Sequence, residues 1–278
     1  MDKPNYLRYL EEFVDVYKNK PIDNNAGGMG FNHSYLLYYM LKKTIPSYVI
    51  ESGVWKGFST YIIDSAVPET KIICLDLDFK RVEYKSKYAE YIETDFNSVD
   101  WSKYINNTNS LCFFDDHQNS LERLKDMRWW GFKKAIFEDN YPTNEGDAYS
   151  IKQILNHSGH NKIQLSQDYL PKRKKEKLKR NIEEKVLNKY YFRQNMIRKP
   201  NIVDHAGVKI NVKEMFELPP VITEKTNQWG KKWENNYVKK DDLINKKNIS
   251  NFPKFEKFYH ESKKNEFNYF YISYVELS

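Results

Sequence analysis

Residues 48–78, YVIESGVWKGFSTYIIDSAVPETKIICLDLD, join two short apolar runs through a glycine-bearing turn and a helix, an order that few folds accommodate. Tyr48 to Ser52 reads as a buried strand. It leads into Glu51-Ser-Gly53-Val-Trp-Lys-Gly57-Phe-Ser59, where two glycines four apart let the backbone turn sharply and approach a ligand that a Cβ would block. A helix starts near Phe58 or Ser59. The second strand, Lys71 to Leu77, presents Asp76 and Asp78 at its carboxyl end, about twenty residues beyond the glycines, where an acid can accept hydrogen bonds from both ribose hydroxyls. Together these elements form the front half of a nucleotide-type cofactor site.

The rest of the chain extends the same alternation. An amphipathic helix is expected over Tyr6 to Tyr17, a loop over Asn24 to Phe31 (NNAGGMGF), and a helix from Asn32 or His33 to Lys43, ended by Pro46. Strands follow at 48–52, 71–77, 91–94, 110–114 and 134–138. A helix from about Asn119 to Trp130 is capped by Gly131. This rhythm predicts an α/β fold of the Rossmann-like kind, a mostly parallel sheet with helices on both faces and ligands beyond the carboxyl ends of its strands. One domain is expected over 1–278, with a basic helical insertion or lid at 161–250 after the fifth strand and a C-terminal strand at 268–277 (NYFYISYVEL). Residues 219–250 read as irregular.

Lysine plus arginine exceed aspartate plus glutamate by 45 to 38, a net charge of +7 on a surface rich in both signs, so nucleic-acid binding is permitted but not indicated. The basic stretch 171–199 carries Leu178, Ile182, Val186 and Tyr190 on one helical face. It reads as a solvated surface helix, or as a lid in peripheral contact with an anionic substrate or lipid surface. Cys74 and Cys112 lie inside apolar runs and suggest neither a disulfide framework nor a zinc site. No run approaches the roughly twenty apolar residues that span a bilayer. A soluble protein of a reducing, cytoplasmic compartment is expected, and a homo-oligomer is compatible with it.

The strand ends carry acids. Asp95 follows the third strand, Asp115, Asp116 and His117 the fourth, and Glu138, Asp139 and Asn140 the fifth. Adjacent carboxylates in a half-buried cleft repel one another, so one must gain a proton unless a cation joins them. Their oxygens are hard ligands suited to Mg²⁺ or Ca²⁺. Taken singly, each acid also serves as a helix cap or loop acceptor, and Asp116 could cap the helix near Asn119. His117, beside the acids, titrates near neutral pH and is placed for a general base or for an ordinary loop histidine. His33, close to the glycine loop, and His157, His160, His205 and His260 have weaker contexts.

The pattern E-x-G-x-x-x-G-x-S lacks the G-x-G-x-x-G on which a dinucleotide pyrophosphate sits, and its acid suits a ligand with a cationic end. IESGVWKGFS, followed in order by LDLD, FFDDH and FEDNYP, resembles the class I S-adenosylmethionine (SAM) methyltransferases over roughly residues 30–160. The resemblance is to the metal-dependent macrocin-type sugar O-methyltransferases and the cephalosporin-hydroxylase-like proteins. It implies a SAM-dependent O-methyltransferase acting on a hydroxyl of a sugar or other polar small molecule. Glu51, Gly53, Gly57 and Ser59 would lie at the methionine end of the cofactor, Asp76 at the ribose and Asp95 near the adenine. Asp115, Glu138 and Asp139 would bind Mg²⁺, and His117 would take the acceptor proton. One residue separates Asp115 from His117 where that branch commonly has two, which leaves Asp115 or Asp116 as the ligand. The rivals are a nicotinamide-dependent oxidoreductase and a non-catalytic nucleic-acid- or glycan-binding protein on the same fold.

Overall fold

Seven strands make one sheet in the order β3-β2-β1-β4-β5-β7-β6. They are β1 (Tyr48–Ser52), β2 (Lys71–Asp76), β3 (Ala89–Glu93), β4 (Ser110–Phe114), β5 (Lys134–Phe137), β6 (Val212–Glu217) and β7 (Ser273–Leu277). The computed structural model describes residues 5–104, 109–142, 146, 148–155, 212–224, 241–269 and 272–278. β1 to β5 run parallel, and β7 is antiparallel to both β5 and β6. This is a Rossmann-like, mostly parallel sheet. The strand order reverses direction between β1 and β4, and the carboxyl ends of strands on either side of such a reversal open a crevice.

Side chains alternate across the sheet, and each parity meets its own layer of helices. Val49, Ile72, Cys74, Leu111 and Phe113 pack toward α1 (Leu10–Lys18), α2 (Phe31–Thr44), α3 (Phe58–Ala66) and α6 (Pro253–Glu261). Ile50, Ile73, Leu75, Cys112 and Phe114 pack toward α4 (Ser120–Trp130) and α5 (Ile151–Leu155). Every residue of α2 from Phe31 to Leu41 is buried, because this helix lies under an outer layer made by α1 and α6. Phe31 joins them, with its ring 5.2 Å from Phe13 and Tyr17 and 5.1 Å from Phe258. Each such pair adds about 0.5–1.5 kcal/mol to the burial itself.

The expected elements appear with ends shifted by a few residues; the helix expected from Tyr6 begins at Leu10 and the strand expected at 91–94 spans Ala89–Glu93. Within the expected insertion at 161–250, Val212–Glu217 is an edge strand of the sheet, paired with β7. The exposed Lys213 and Glu214 interrupt its apolar run and hid it from the hydrophobic pattern. The basic stretch 171–199 and His157, His160 and His205 lie outside the described residues. Among the described residues no helix is long and apolar enough to cross a membrane.

Candidate active site

The turn after β1 is held by close backbone approaches and by the Asp76 side chain. Gly53 has φ +91°, and a Cβ there would come within 2.1 Å of the Asp115 carbonyl oxygen. Gly57 has φ +86°, and its Cβ would meet the Tyr84 carbonyl oxygen at 2.2 Å. Asp76 completes the turn by accepting from the Val54 and Trp55 amides through Oδ2, both at 2.9 Å, and from the Asp78 amide through Oδ1 at 3.2 Å. An acid at this strand end is therefore a brace for the turn as well as a lining group.

Beyond the turn, at the reversal of strand order, lies a cleft of about 500 Å³. Of the cofactor residues expected from sequence, Gly53, Asp76 and Asp95 line it, and so do Asp115 and His117. Glu51, Gly57 and Ser59 are not among its lining residues. Glu51 shares its parity with Val49, so it points into the α3 layer, fully buried, and accepts from Thr60 Oγ1 at 2.7 Å and from the Cys74 thiol at 3.2 Å. Burial pushes its carboxyl up to about 7 against those hydrogen bonds. Ser59 is buried in the first turn of α3.

A second charged group organises the cleft floor. Arg123, on the inward face of α4, donates through Nη1 and Nη2 to the two Asp95 oxygens at 2.9 and 2.6 Å and through Nε to Asp116 Oδ2 at 2.9 Å. Ser52 Oγ donates to the same Asp116 oxygen at 2.6 Å. The guanidinium holds Asp95 below the usual carboxylate range, whereas burial raises Asp116 despite it. Asp116 is thus a strut between β1 and α4 and not the cap of α4; Asn119 caps that helix by accepting from the Leu121 amide at 2.9 Å. Sequence reasoning missed Arg123. Its spacing from Ser120 and Met127, one helical turn to either side on the buried stripe, was the available signal.

Asp115 and Asp139 meet where the first cleft opens into a second, of about 340 Å³, lined also by His117 and Glu138. Carboxylate oxygens of Asp115 and Asp139 and a ring nitrogen of His117 lie within 4.8 Å of one another, close enough to hold one metal ion. Burial, then the charges of Glu138 and Asp139, raise Asp115 well above the ordinary carboxylate range. Burial also acts to raise Asp139, but hydrogen bonds with His117 and Glu138 outweigh it and leave it at about 2. His117 Nδ1 is 3.1 Å from Asp139 Oδ2, and its backbone is left-handed at φ 53°, which is uncommon outside glycine. Glu138, expected as a third metal ligand, is turned instead to the buried His33, whose Nδ1 contacts its Oε1. Burial lowers His33 to about 4. Among the expected site residues, then, Asp115, His117 and Asp139 converge, and Glu138 stands beside them with a partner of its own.

No family model matches the chain, and no curated protein matches it. Among solved structures, the chain is similar to the SAH-bound methyltransferase PaMTH1 of Podospora anserina, at 11% identity and a TM-score of 0.39, over 78% of this chain and 84% of that one. It is similar to CmcI in its Mg-SAM form at 12% identity and a TM-score of 0.39, over 78% and 80% of the two chains. A provisionally assigned O-methyltransferase of Klebsiella pneumoniae has 8% identity and a TM-score of 0.43, over all of this chain and 92% of that one.

Proposed function

We propose that the protein is a SAM-dependent O-methyltransferase, assisted by Mg²⁺, that acts on a hydroxyl of a sugar or similar polar small molecule. The observation that carries this reading is the charge of the first cleft: among the described residues, Asp76, Asp78, Asp95, Asp115 and Asp116 line it against a single arginine, Arg81. Arg123 offsets two of these acids from beneath, backbone amides hold Asp76 and Lys80 lies 3.4 Å from Asp78, yet the acids that line the cleft still outnumber its cations. Such a wall repels the diphosphate of a nicotinamide dinucleotide and attracts a ligand bearing a sulfonium and an ammonium. The volume of about 500 Å³ lies within the range of small-molecule sites, roughly 300–1,000 Å³.

When bound, SAM supplies the methyl group and Mg²⁺ a Lewis acid beside the acceptor oxygen. Asp115 and Asp139 would hold the metal, and their mutual repulsion is the reason a cation is favoured there. Asp139 orients the His117 ring through Nδ1, and Nε2 takes the proton of the acceptor hydroxyl. Asp76 fixes the turn, and with Asp78 it offers carboxylate oxygens to ribose hydroxyls. Much of the acceleration would come from aligning the acceptor oxygen with the methyl carbon.

Calorimetry with SAM, SAH and NAD⁺ tests the reading. Saturable heat with SAM and SAH and none with NAD⁺ is expected. Binding of NAD⁺ without SAM would establish the oxidoreductase reading, and steeply salt-dependent nucleic-acid affinity without either cofactor would establish a non-catalytic binding protein.

A further inference from the structure

The second cleft is built by segments that the cofactor reading does not use. Its outer wall comes from the end of α1, the loop 23–30 and the turn at Lys264–Phe267 that precedes β7. It joins the first cleft through Gly27, Gly28, Asp115 and His117, which line both. Anything seated in it would therefore face His117 at one end and the cofactor position beyond.

We propose that this cleft is the acceptor site and that its wall admits a polyhydroxylated molecule without anionic groups, with Glu266 as the residue that sets the charge rule. This rests on the methyl-transfer reading of the adjoining cleft. Asp115, Glu138 and Asp139 line the inner end, and Asp23 and Glu266 the outer wall. Among the described residues, only Lys20 and Lys263 of its lining oppose them. A divalent ion at the inner end would still leave the carboxylates in excess.

Lys20 is committed to the wall itself. Its Nζ lies 3.8 Å from Glu266 Oε2 and 3.9 Å above the Tyr17 ring. The Tyr17 hydroxyl donates to the same Glu266 oxygen, so this carboxylate is fixed in place by two partners and presents an acceptor to the cleft. A phosphate or carboxylate on the ligand would meet like charge there, which disfavours it against a neutral group. Hydroxyl and ammonium groups would instead donate to it. Asn24, Asn265 and Asn268 add amides that both donate and accept, as recognition of several hydroxyls requires. A chain of net charge +7 has thus placed an acidic lining where its acceptor enters.

The test is saturation-transfer NMR on the full chain with SAH and Mg²⁺, using methyl glucoside, glucosamine, glucose 6-phosphate and glucuronate as probes at one ionic strength. SAH binding is measured first by calorimetry, so a failure of the cofactor reading shows as absent heat, and the same titrations on the protein without SAH then decide the cleft separately. Methyl glucoside and glucosamine are expected to bind at least about tenfold more tightly than the phosphate and the uronate. Glu266→Gln, with SAH affinity unchanged, is expected to weaken glucosamine about tenfold and to strengthen glucose 6-phosphate. Equal or preferred binding of the anionic sugars by the unaltered chain would overturn the charge rule. Saturation transfer to none of the four probes would overturn the cleft as a site for such molecules.

Discussion

Gly53 and Gly131 have nearly the same left-handed backbone, φ +91° and +80°, and differ in what surrounds the missing side chain. A Cβ on Gly131, at the end of α4, meets nothing within 4 Å, whereas one on Gly53 would strike the backbone of Asp115 and Asp116. Gly131→Ala should therefore cost only the conformational strain, about 1 kcal/mol. Gly53→Ala should cost clearly more, and should also lower SAM affinity, because Asp115 must move with it. Urea midpoints and calorimetry on the two variants check this, and equal losses would mean that the close approach is not maintained in solution. The sequence made the need for glycine at 53 and 57 legible, but not its reason: the glycines were expected to make room for a ligand, and the space is filled by chain. Glu51 shows the same limit. Its parity with Val49 was readable and places it in the α3 layer, but an acid so near a glycine turn invites assignment to the ligand. Glu138 and His33 are 105 residues apart, and no local pattern joins them.

At the scale of elements, Arg123 of α4 ties together the carboxyl ends of β3 and β4 and, through Asp116 and Ser52, that of β1. The parallel strands share ladder hydrogen bonds along their length and one residue beyond, where the Gly53 and Asp115 amides donate to the Leu75 and Ser52 carbonyls at 2.9 Å, and these side-chain links join the segments farther out. Replacing Arg123 with Met would keep much of the packing against Phe96 and Phe114, over whose rings the guanidinium lies at 5.7 and 5.8 Å, and would strip two buried or half-buried carboxylates of their partner. The expected loss is about 3 kcal/mol, since removing one member of a buried charge network leaves the others uncompensated. Denaturant unfolding measures it, and SAM binding should weaken in the same variant because Asp95 and Asp116 line the cleft. A loss below about 1 kcal/mol would mean that water replaces the guanidinium at little cost. The strands and helices on either side of this network were readable from apolar runs of the right length. β6 was not, because an edge strand keeps one side in water and its Lys213 and Glu214 break the run. Arg123 itself hid as one more charge in a helix that otherwise reads as amphipathic.

Over the whole molecule, two buried groups shifted in opposite directions make the pH dependence of folding a balance. Glu51, fully buried, has its carboxyl raised from 4.5 to about 7, so the folded chain keeps a proton that the unfolded chain has released. Its contribution is present below about 4.5 and is lost as pH rises to about 7. His33 does the reverse. Burial lowers it from 6.5 to about 4, so between these values the unfolded chain binds the proton and the folded chain does not, and stability rises with pH across that window. Each shift amounts to about 3 kcal/mol over its window, and the two windows largely overlap, so their slopes oppose each other. Asp115 and Asp116, both raised mainly by burial, add to the falling side, which means that differences between variants and the unaltered chain isolate each group better than the unaltered curve does. Relative to the unaltered chain, Glu51→Gln is expected to gain stability from about pH 4.5 to about 7 and to stay level above it, because the variant has no proton to lose. His33→Gln is expected to lose ground from about pH 4 to 6.5, because it lacks the group whose neutral form the fold prefers. Urea midpoints at half-unit pH steps for the three proteins provide the comparison. A flat difference for Glu51→Gln would show that Glu51 titrates alike in the folded and unfolded chain, and that water reaches it through the α3 layer.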